Sequence, residues 1–168
     1  MNKFDLRLAN SDDLDRLQFI SAQARERYRS IPALAPVADT PPLTASRFEP
    51  CRVEVAVDYA NSEVIGYAAV RPLDGLLYLD NISVALGASG RGIGKTLLSS
   101  VIAYAANLQV HAVSLTTFKE PIWNGPWFRK HGFQSMPFSQ IGIGLQGVME
   151  RQWQTLDSES RETLWCPL

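Results

Sequence analysis

The sequence predicts an α+β fold, in which a mixed and mostly antiparallel β-sheet is flanked by helices. Three strand-like segments follow one another near the middle of the chain with short turns between them, which is typical of antiparallel strands. Segments with helical periodicity then alternate with strand-like segments through the second half, which favours helices that connect strands. Because no internal repeat or second domain is visible, residues 1–168 are expected to form a single domain.

The first 30 residues predict a strand followed by a helix. Apolar residues alternate with polar ones over residues 4–8, as in a strand with one buried face. Apolar residues then recur at helical spacing over residues 14–28, and Asn10 or Ser11 is the expected N-cap. Acidic residues follow this cap and arginines end the helix, which suits the helix dipole.

Residues 31–50 are expected to form a long irregular loop, because five prolines interrupt them. The pattern leaves room for one short helix at about residues 44–48. In a compact chain such a loop is either a lid or substrate loop, or a variable surface connection. The sequence leaves both readings open.

The middle of the chain predicts three consecutive strands, over residues 53–57, 64–70 and 76–84, with turns at 58–62 and 72–75. Helices and strands then alternate to the end of the chain. In order they are a helix over residues 93–105, a strand over 110–118, a helix from Asn124 to Gly132, a strand from Phe133, a helix over 145–156 and a strand over 161–166.

Composition indicates a globular protein and disfavours several partners. Hydrophobic residues make up 46% and charged residues 20% of the chain, and the net charge is −1. This charge does not favour nucleic acid as a partner, and no apolar run approaches the roughly 20 residues that cross a membrane. With two cysteines, Cys51 and Cys166, and no secretion leader before Phe4, we expect a reduced, cytoplasmic protein, although one disulfide is also compatible.

A glycine-rich loop between a strand and a helix is the most informative motif. Residues 90–94 read Gly-Arg-Gly-Ile-Gly and follow a strand that ends at Val84. Glycines let a ligand approach the backbone, and the start of a helix offers unpaired N–H groups to a phosphate. Two nucleotide-binding patterns fail at one position each, because GxGxxG needs glycine at Lys95 and GxxxxGK[ST] needs it at Ser89. A phosphate-loop nucleotide-binding protein is therefore kept as an alternative.

The same loop resembles the acetyl-CoA loop of the GNAT N-acetyltransferase superfamily, written [Arg/Gln]-x-x-Gly-x-[Gly/Ala]. Residues 89–94 match it except at the first position. The similarity covers most of the chain, is strong from Tyr78 to Phe133 and is weak over residues 31–50. It implies the GNAT (acyl-CoA N-acyltransferase) fold, acetyl-CoA as the acetyl donor, and a set of cofactor-binding residues. These are Ile82, Ser83, Val84, Ser89, Gly90, Arg91, Gly92, Ile93, Gly94, Lys95, Thr96, Asn124 and Phe128.

Two of these positions depart from the family pattern. Ser89 replaces the usual Arg or Gln, so either Arg91 or Lys95 supplies positive charge, or both are simply solvated. Phe128 stands where many members carry the Tyr that is thought to protonate the leaving thiolate. Asn124 is expected to cap a helix, and in the family an Asn here often also contacts the arm of the cofactor.

Asp80 is the candidate general base. An alkylammonium has a pKa of about 10.4, so the acceptor amine must lose a proton before it attacks the thioester. Residues 78–84 resemble the Tyr-Leu-Glu-Asp-Phe-Phe-Val segment of polyamine acetyltransferases, in which the acidic residue at the position of Asp80 is the proposed base. The alternative role for Asp80 is a carboxylate that is structural or that orients the substrate.

The sequence thus predicts an acetyl-CoA-dependent N-acetyltransferase that acts by direct transfer on a primary amine of a small molecule. A peptide N-terminus or a lysine is the other acceptor considered, and a degenerate acyl-CoA-binding or regulatory module is the alternative to an enzyme. His111 and His131 lack partners at metal-ligand spacing, so no metal is expected. We expect a monomer or a homodimer, without nucleic acid or membrane partners.

Overall fold

The structure is a computed structural model that describes residues 3–168. Its strands are β1 (Phe4–Leu8), β2 (Arg52–Asp58), β3 (Val64–Leu73), β4 (Leu76–Val84), β5 (Ala112–Phe118), β6 (Gln134–Ser135) and β7 (Arg161–Pro167). Its α-helices are α1 (Leu14–Arg25), α2 (Ala45–Phe48), α3 (Ile93–Asn107), α4 (Gly125–Lys130) and α5 (Ile143–Trp153). The predicted α+β class and order of elements are confirmed.

The strands form one mixed sheet in the order β1-β2-β3-β4-β5-β7-β6. Strand β2 pairs antiparallel with both β1 and β3. Strands β4 and β5 run parallel, with Leu77 opposite Val113, and helix α3 supplies the crossover that a parallel pair needs. Strand β7 returns between β5 and β6 and pairs antiparallel with each of them.

The chain forms two compact units. The N-terminal unit contains the chain up to Val70 together with residues 80–101, and the C-terminal unit contains residues 71–79 and 102–168. The chain therefore passes from one unit to the other within β3, β4 and α3. That residues 1–168 act as one domain stays a prediction.

The expected cap at the start of the first helix is Asn10 rather than Ser11. The Asn10 side chain accepts the N–H of Asp12 at 2.9 Å, and Asp13 accepts the N–H of Asn10 at 2.9 Å, which makes a capping box. Arg7 donates to Asp13 at 2.7 Å, and this hydrogen bond lowers the pKa of the Asp13 carboxyl. The first turn, Ser11–Asp13, is a 3-10 turn that leads into α1.

Residues 31–50, here called the proline-rich segment, contain the short helix α2 and also a 3-10 turn, Ala35–Asp39, that was not expected. Side chains of α1 hold this segment by its backbone carbonyls. Gln18 donates to the Leu43 carbonyl at 2.9 Å, and Arg25 donates to the carbonyls of Thr40 and Pro41. Burial lowers the pKa of Arg25. The prolines remove local hydrogen bonds, so contacts from α1 take their place.

The C-terminal unit has its own apolar core, which α5 covers. Its buried members are Leu76, Tyr78, Ala112, Met136, Leu145 and Val148. The β3–β4 turn is shorter than predicted, because β3 continues to Leu73 and only Asp74 and Gly75 turn, both with positive φ (53° and 76°). The Asp74 carboxylate accepts the N–H groups of Gly144 and Leu145, each at 2.8 Å, and so fixes the first turn of α5.

Helix α4 begins and ends as predicted. Asn124 is its N-cap residue and Pro126 lies in the first turn, but within the described chain the Asn124 side chain makes no capping hydrogen bond. Gly132, with φ +96°, follows the helix in the left-handed conformation that ends many helices. The strand expected from Phe133 is only Gln134–Ser135, since β6 pairs with two residues of β7.

Cys51 and Cys166 do not form a disulfide in the part of the chain that the structure describes. Over residues 3–168, no helix combines the length and the hydropathy needed to cross a bilayer. The same residues contain no group of three or more His, Cys, Asp or Glu side chains placed to hold a metal ion.

Replacing Asp74 by Asn should loosen the start of α5. The side-chain oxygen of asparagine can accept one of the two N–H groups of Gly144 and Leu145, but its NH₂ group would face the other. Asn still tolerates the positive φ of this position. We expect the free energy of unfolding to fall by about 1–3 kcal/mol, measured by urea denaturation.

The matched control for Asp74→Asn is Glu150→Gln on the exposed face of the same helix. This substitution should change the free energy of unfolding by less than about 0.5 kcal/mol. Equal losses in the two variants would contradict the role assigned to Asp74.

Candidate active site

Strand β4 changes character along its length. Residues 76–79 are buried, whereas residues 80–84 are half-buried. The second group contains the predicted base, Asp80, and the predicted cofactor residues Ile82, Ser83 and Val84. This end of β4 belongs to the N-terminal unit, together with the glycine loop.

Helix α2 covers Asp80. The Nε atom of Arg47 lies 2.8 Å from Oδ2 of Asp80 in a charge-assisted ion pair. The Asp80 side chain is 4% exposed, while that of Arg47 is 45% exposed. The next residue of α2, Phe48, packs edge-on against Tyr67 with ring centroids 5.6 Å apart. The proline-rich segment therefore pairs with the candidate base through Arg47 and packs on the neighbouring strand β3 through Phe48.

A buried polar network fixes the backbone just beyond Asp80. Tyr67 is fully buried, and its hydroxyl donates to Oδ1 of Asn81 at 2.7 Å. The Ser83 hydroxyl donates to the same oxygen at 3.0 Å. Burial raises the pKa of the Tyr67 phenol, so the phenol stays neutral and acts as a donor. These two hydrogen bonds satisfy the buried phenol and tie the side chains of Asn81 and Ser83 together, which restrains residues 81–83.

The glycine loop leads directly into α3. Gly90 and Gly92 have φ of +82° and +77°, a conformation that favours glycine. Within residues 3–168, apart from each glycine and its two chain neighbours, no heavy atom lies within 4 Å of the position that a Cβ would take at either glycine. The Thr96 N–H and hydroxyl both donate to the Gly92 carbonyl at 3.0 Å, which forms the first turn of the helix. The N–H groups of residues 93–95 come before that bond, where a helix has no internal acceptors.

The side chains around the loop differ from what the sequence suggested. Ser89 is exposed, and its N–H donates to the Leu86 carbonyl at 3.3 Å. Arg91 pairs with Asp58 at 2.8 Å, and this hydrogen bond lowers the pKa of the Asp58 carboxyl. The charge of Arg91 is therefore tied to the end of β2, while Lys95 is exposed on α3.

The remaining predicted residues, Asn124 and Phe128, belong to the C-terminal unit. Phe128 is 6% exposed. Its ring packs edge-on against Trp127 and Phe133, with centroids 5.1 and 5.5 Å away. Within its unit, Phe128 thus forms part of an aromatic core around α4. The N-terminal unit, in turn, contains Asp80, residues 82–84 and residues 89–96.

Sequence reasoning missed Arg47 and Tyr67. Arg47 lies 33 residues before Asp80 in a segment dominated by prolines, where no periodic pattern marks a partner. Tyr67 did carry a signal, because it is a hydroxyl-bearing residue in the apolar run of residues 64–70. A buried tyrosine hydroxyl needs a hydrogen-bond partner, and the neighbouring strand offered Asn81.

The acetyltransferase (GNAT) family model matches residues 19–133, which is more than half of the chain. The protein therefore belongs to this family, and it is an acyltransferase. The resemblance seen in the glycine loop is confirmed at the level of the family.

Solved structures of this family share the fold. A GNAT-family acetyltransferase from Staphylococcus aureus Mu50 is 16% identical, with a TM-score of 0.69 and 98% of this chain and 99% of that chain covered. Ribosomal-protein-S18-alanine N-acetyltransferase from Escherichia coli is 14% identical, with a TM-score of 0.67 and with 98% of this chain and 93% of that chain covered. PaiA N-acetyltransferase from Thermoplasma acidophilum, solved with coenzyme A, is 13% identical, with a TM-score of 0.67 and with 98% of this chain and 99% of that chain covered. The predicted GNAT fold is confirmed.

Replacing Gly92 by Ala should cost stability and weaken coenzyme A binding. Alanine at φ +77° costs about 1 kcal/mol, and its methyl group would stand on the open side of the loop. We expect at least about a fivefold rise in the Kd for coenzyme A, measured by calorimetry.

Gly87→Ala is the matched control, because Gly87 has equally open surroundings in the same connection but no positive φ. Its Kd and its thermal unfolding temperature should match those of the wild type. Unchanged coenzyme A binding in Gly92→Ala would show that Gly92 does not take part in binding the cofactor.

Proposed function

We propose that this acyltransferase moves an acetyl group from acetyl-CoA to a primary amine of a small molecule, with Asp80 as the general base. The observation that carries the proposal is that one compact unit contains both a covered carboxylate, Asp80 of β4, and an open glycine loop at the start of α3. The carboxylate can remove a proton from an amine, and the glycine loop can bind a pyrophosphate.

The residues present fit coenzyme A. The exposed glycines of the loop leave room for a phosphate at the backbone, and the N–H groups of residues 93–95 would donate to it. Backbone groups of residues 82–84 would hold the pantetheine arm, as the family resemblance implies. The complex of the Thermoplasma acidophilum relative with coenzyme A supports this assignment. When bound, acetyl-CoA supplies an acetyl group activated as a thioester.

Asp80 would remove the proton from the amine. At neutral pH an alkylamine is almost fully protonated, so a base must act before or during attack. The carboxylate is held by Arg47 and is nearly covered, so an amine can reach Oδ2 only when the Arg47 side chain gives way. Arg47 is the exposed member of the pair and belongs to the four-residue helix α2, so its side chain is the one that would have to move.

Phe128 cannot donate a proton to the leaving thiolate. The chemistry tolerates this, because a thiol has a pKa of about 8.5 and its thiolate can take a proton from water. Phe128 is only 6% exposed, as expected of a core residue. We therefore assign Phe128 a packing role within its own unit, and we keep Asn124 as the cofactor contact that the family resemblance implies.

The acceptor is proposed as a small molecule, in the cytoplasm, with the protein as a monomer or homodimer. The E. coli relative is an N-acetyltransferase for ribosomal-protein-S18 alanine, so a protein N-terminus is the second candidate acceptor. A binding module without turnover is the second candidate function, and the altered positions Ser89 and Phe128 favour it.

Two variants test the base because they break the same ion pair from opposite sides. Asp80→Asn removes both the pair and the carboxylate, whereas Arg47→Gln removes the pair and keeps the carboxylate. Thiol release from acetyl-CoA would be measured with a panel of primary amines from about pH 6 to about pH 9. We expect Asp80→Asn to lower kcat/KM by roughly 10²–10⁴-fold, with the largest loss at low pH. We expect Arg47→Gln to keep the shape of the wild-type dependence of kcat/KM on pH.

An unchanged pH profile in Asp80→Asn would exclude Asp80 as the base, and parallel losses in both variants would assign the effect to the ion pair. Binding of coenzyme A without turnover of any amine or N-terminal peptide would favour the binding module. A thermal shift with magnesium-ATP alone would favour a nucleotide site.

A further inference from the structure

Arg25, the last residue of α1, is a half-buried cation whose partners are neutral. Its Nη1 atom donates to the Thr40 carbonyl at 3.2 Å, to the Thr40 hydroxyl at 2.9 Å and to the Pro41 carbonyl. Over residues 3–168, no carboxylate forms a hydrogen bond or an ion pair with Arg25. Burial lowers the pKa of this guanidinium, and the charge of Arg47 lowers it further. Because a partly buried charge without an opposite charge costs free energy, an anion would be stabilised at Arg25.

The neighbouring arginine, in contrast, is compensated. Arg29, one turn further along the chain, is exposed and pairs with Glu26 at 2.9 Å and with Asp39 at 3.0 Å. The proline-rich segment therefore supplies a carboxylate to the exposed arginine, but only carbonyl and hydroxyl oxygens to the half-buried one. The charge of Arg25 is left to a ligand.

One edge of the Arg25 guanidinium is also left to a ligand. Its hydrogen bonds all use Nη1, and among the described residues Nε and Nη2 donate to no acceptor. These two nitrogens form an edge of the guanidinium that can bind a carboxylate through two parallel hydrogen bonds. A carboxylate therefore fits both the charge and the geometry of Arg25.

Arg25 lies near the candidate base. Burial raises the pKa of the Tyr67 phenol, the positive charge of Arg25 lowers it and the negative charge of Asp80 raises it, so both charges lie within electrostatic reach of one phenol. The ring of Tyr67 packs on Phe48 of α2. Arg25 holds the chain just before α2, and α2 carries the Arg47 that pairs with Asp80. These side chains all belong to the N-terminal unit.

The charges around Asp80 argue against a plain alkylamine as the acceptor. Such an amine arrives as a cation, because its pKa is about 10.4. At Asp80 it would lie near the guanidinium groups of Arg25 and Arg47, and like charges repel. A carboxylate on the same molecule would offset this repulsion by pairing with Arg25.

We propose that the acceptor is a small amine that also bears a carboxylate, and that Arg25 binds this carboxylate. The ammonium group would replace Arg47 at Asp80, and the carboxylate would accept hydrogen bonds from Nε and Nη2 of Arg25. This inference rests on the proposed acetyl transfer and names the class of acceptor as amino acids. Arg25 is then the residue that determines specificity.

Paired probes test the carboxylate requirement. L-leucine, L-phenylalanine, L-lysine and γ-aminobutyrate are each compared with the primary amide, which keeps the size of the acid and loses its charge. Dissociation constants are measured by NMR titration of the full chain saturated with coenzyme A, so the comparison does not require turnover. We expect at least one acid to bind about tenfold more tightly than its amide, as one charge-assisted contact allows. Thiol release from acetyl-CoA is then measured with the same compounds, and kcat/KM should favour the same acid by a similar factor.

Three variants assign the preference to Arg25. Arg25→Gln keeps an N–H donor for the carbonyls of residues 40 and 41 but has no charge, so the acid and its amide should bind equally. Arg25→Lys keeps the charge without the bidentate edge and should retain part of the preference. Arg29→Gln removes the arginine that Glu26 and Asp39 already compensate, so its preference should match that of the wild type. Because each readout is a ratio of acid to amide, a general loosening of the proline-rich segment would weaken both and leave the ratio unchanged.

Equal affinity for acid and amide in every wild-type pair overturns the proposal. Full preference in Arg25→Gln, or an equal loss of preference in Arg29→Gln, overturns the assignment to Arg25. If Arg25→Gln unfolds, a reduced preference in Arg25→Lys but not in Arg29→Gln still supports the assignment, and an unreduced one overturns it. Preferential binding of an acid without thiol release overturns the proposed acetyl transfer alone, whereas equal kcat/KM for acids and amides overturns this inference alone.

Discussion

The absence of a side chain at Gly66 is the constraint on which the N-terminal unit depends. A Cβ at this position of β3 would lie 3.0 Å from Cγ2 of Ile93 and 3.1 Å from the carbonyl oxygen of Ser83. Helix α3 can therefore start directly against the sheet, next to the end of β4, with Ile93 and Leu97 buried. The glycine loop is placed by this packing, and its own residues are left open to a ligand.

The same strands must also carry polar groups without losing stability. A buried hydroxyl or amide without a partner costs about 1–3 kcal/mol, so the contacts of Tyr67 with Asn81 matter as much as apolar packing. Arg47 meets the same requirement for Asp80, because it pairs with a carboxylate that is almost fully covered. Side-chain hydrogen bonds thus hold residues 81–83 of β4, whereas the cover over Asp80 comes from the four-residue helix α2.

Local signals allowed most of the fold and the loop to be predicted from the sequence. Strand alternation, the Asn10 cap and the glycine spacing all act over a few residues, so each leaves a pattern that can be read directly. The Arg47–Asp80 pair joins residues 33 positions apart, and Asp74 caps a helix 70 residues further on. Such contacts depend on tertiary packing, and nothing in the local pattern specifies them. Arg91 shows the same limit, since its pairing with Asp58 arises only after β2 and the loop are folded.

Amide NMR of the isotope-labelled protein, titrated with coenzyme A, would locate the cofactor site residue by residue. We expect the largest saturable shifts on the amides of residues 90–96 and of residues 82–84, because these are the backbone groups proposed to contact the cofactor. Saturable shifts confined to other parts of the chain, or none at all, would contradict the claim that this loop and strand end form the acetyl-CoA site.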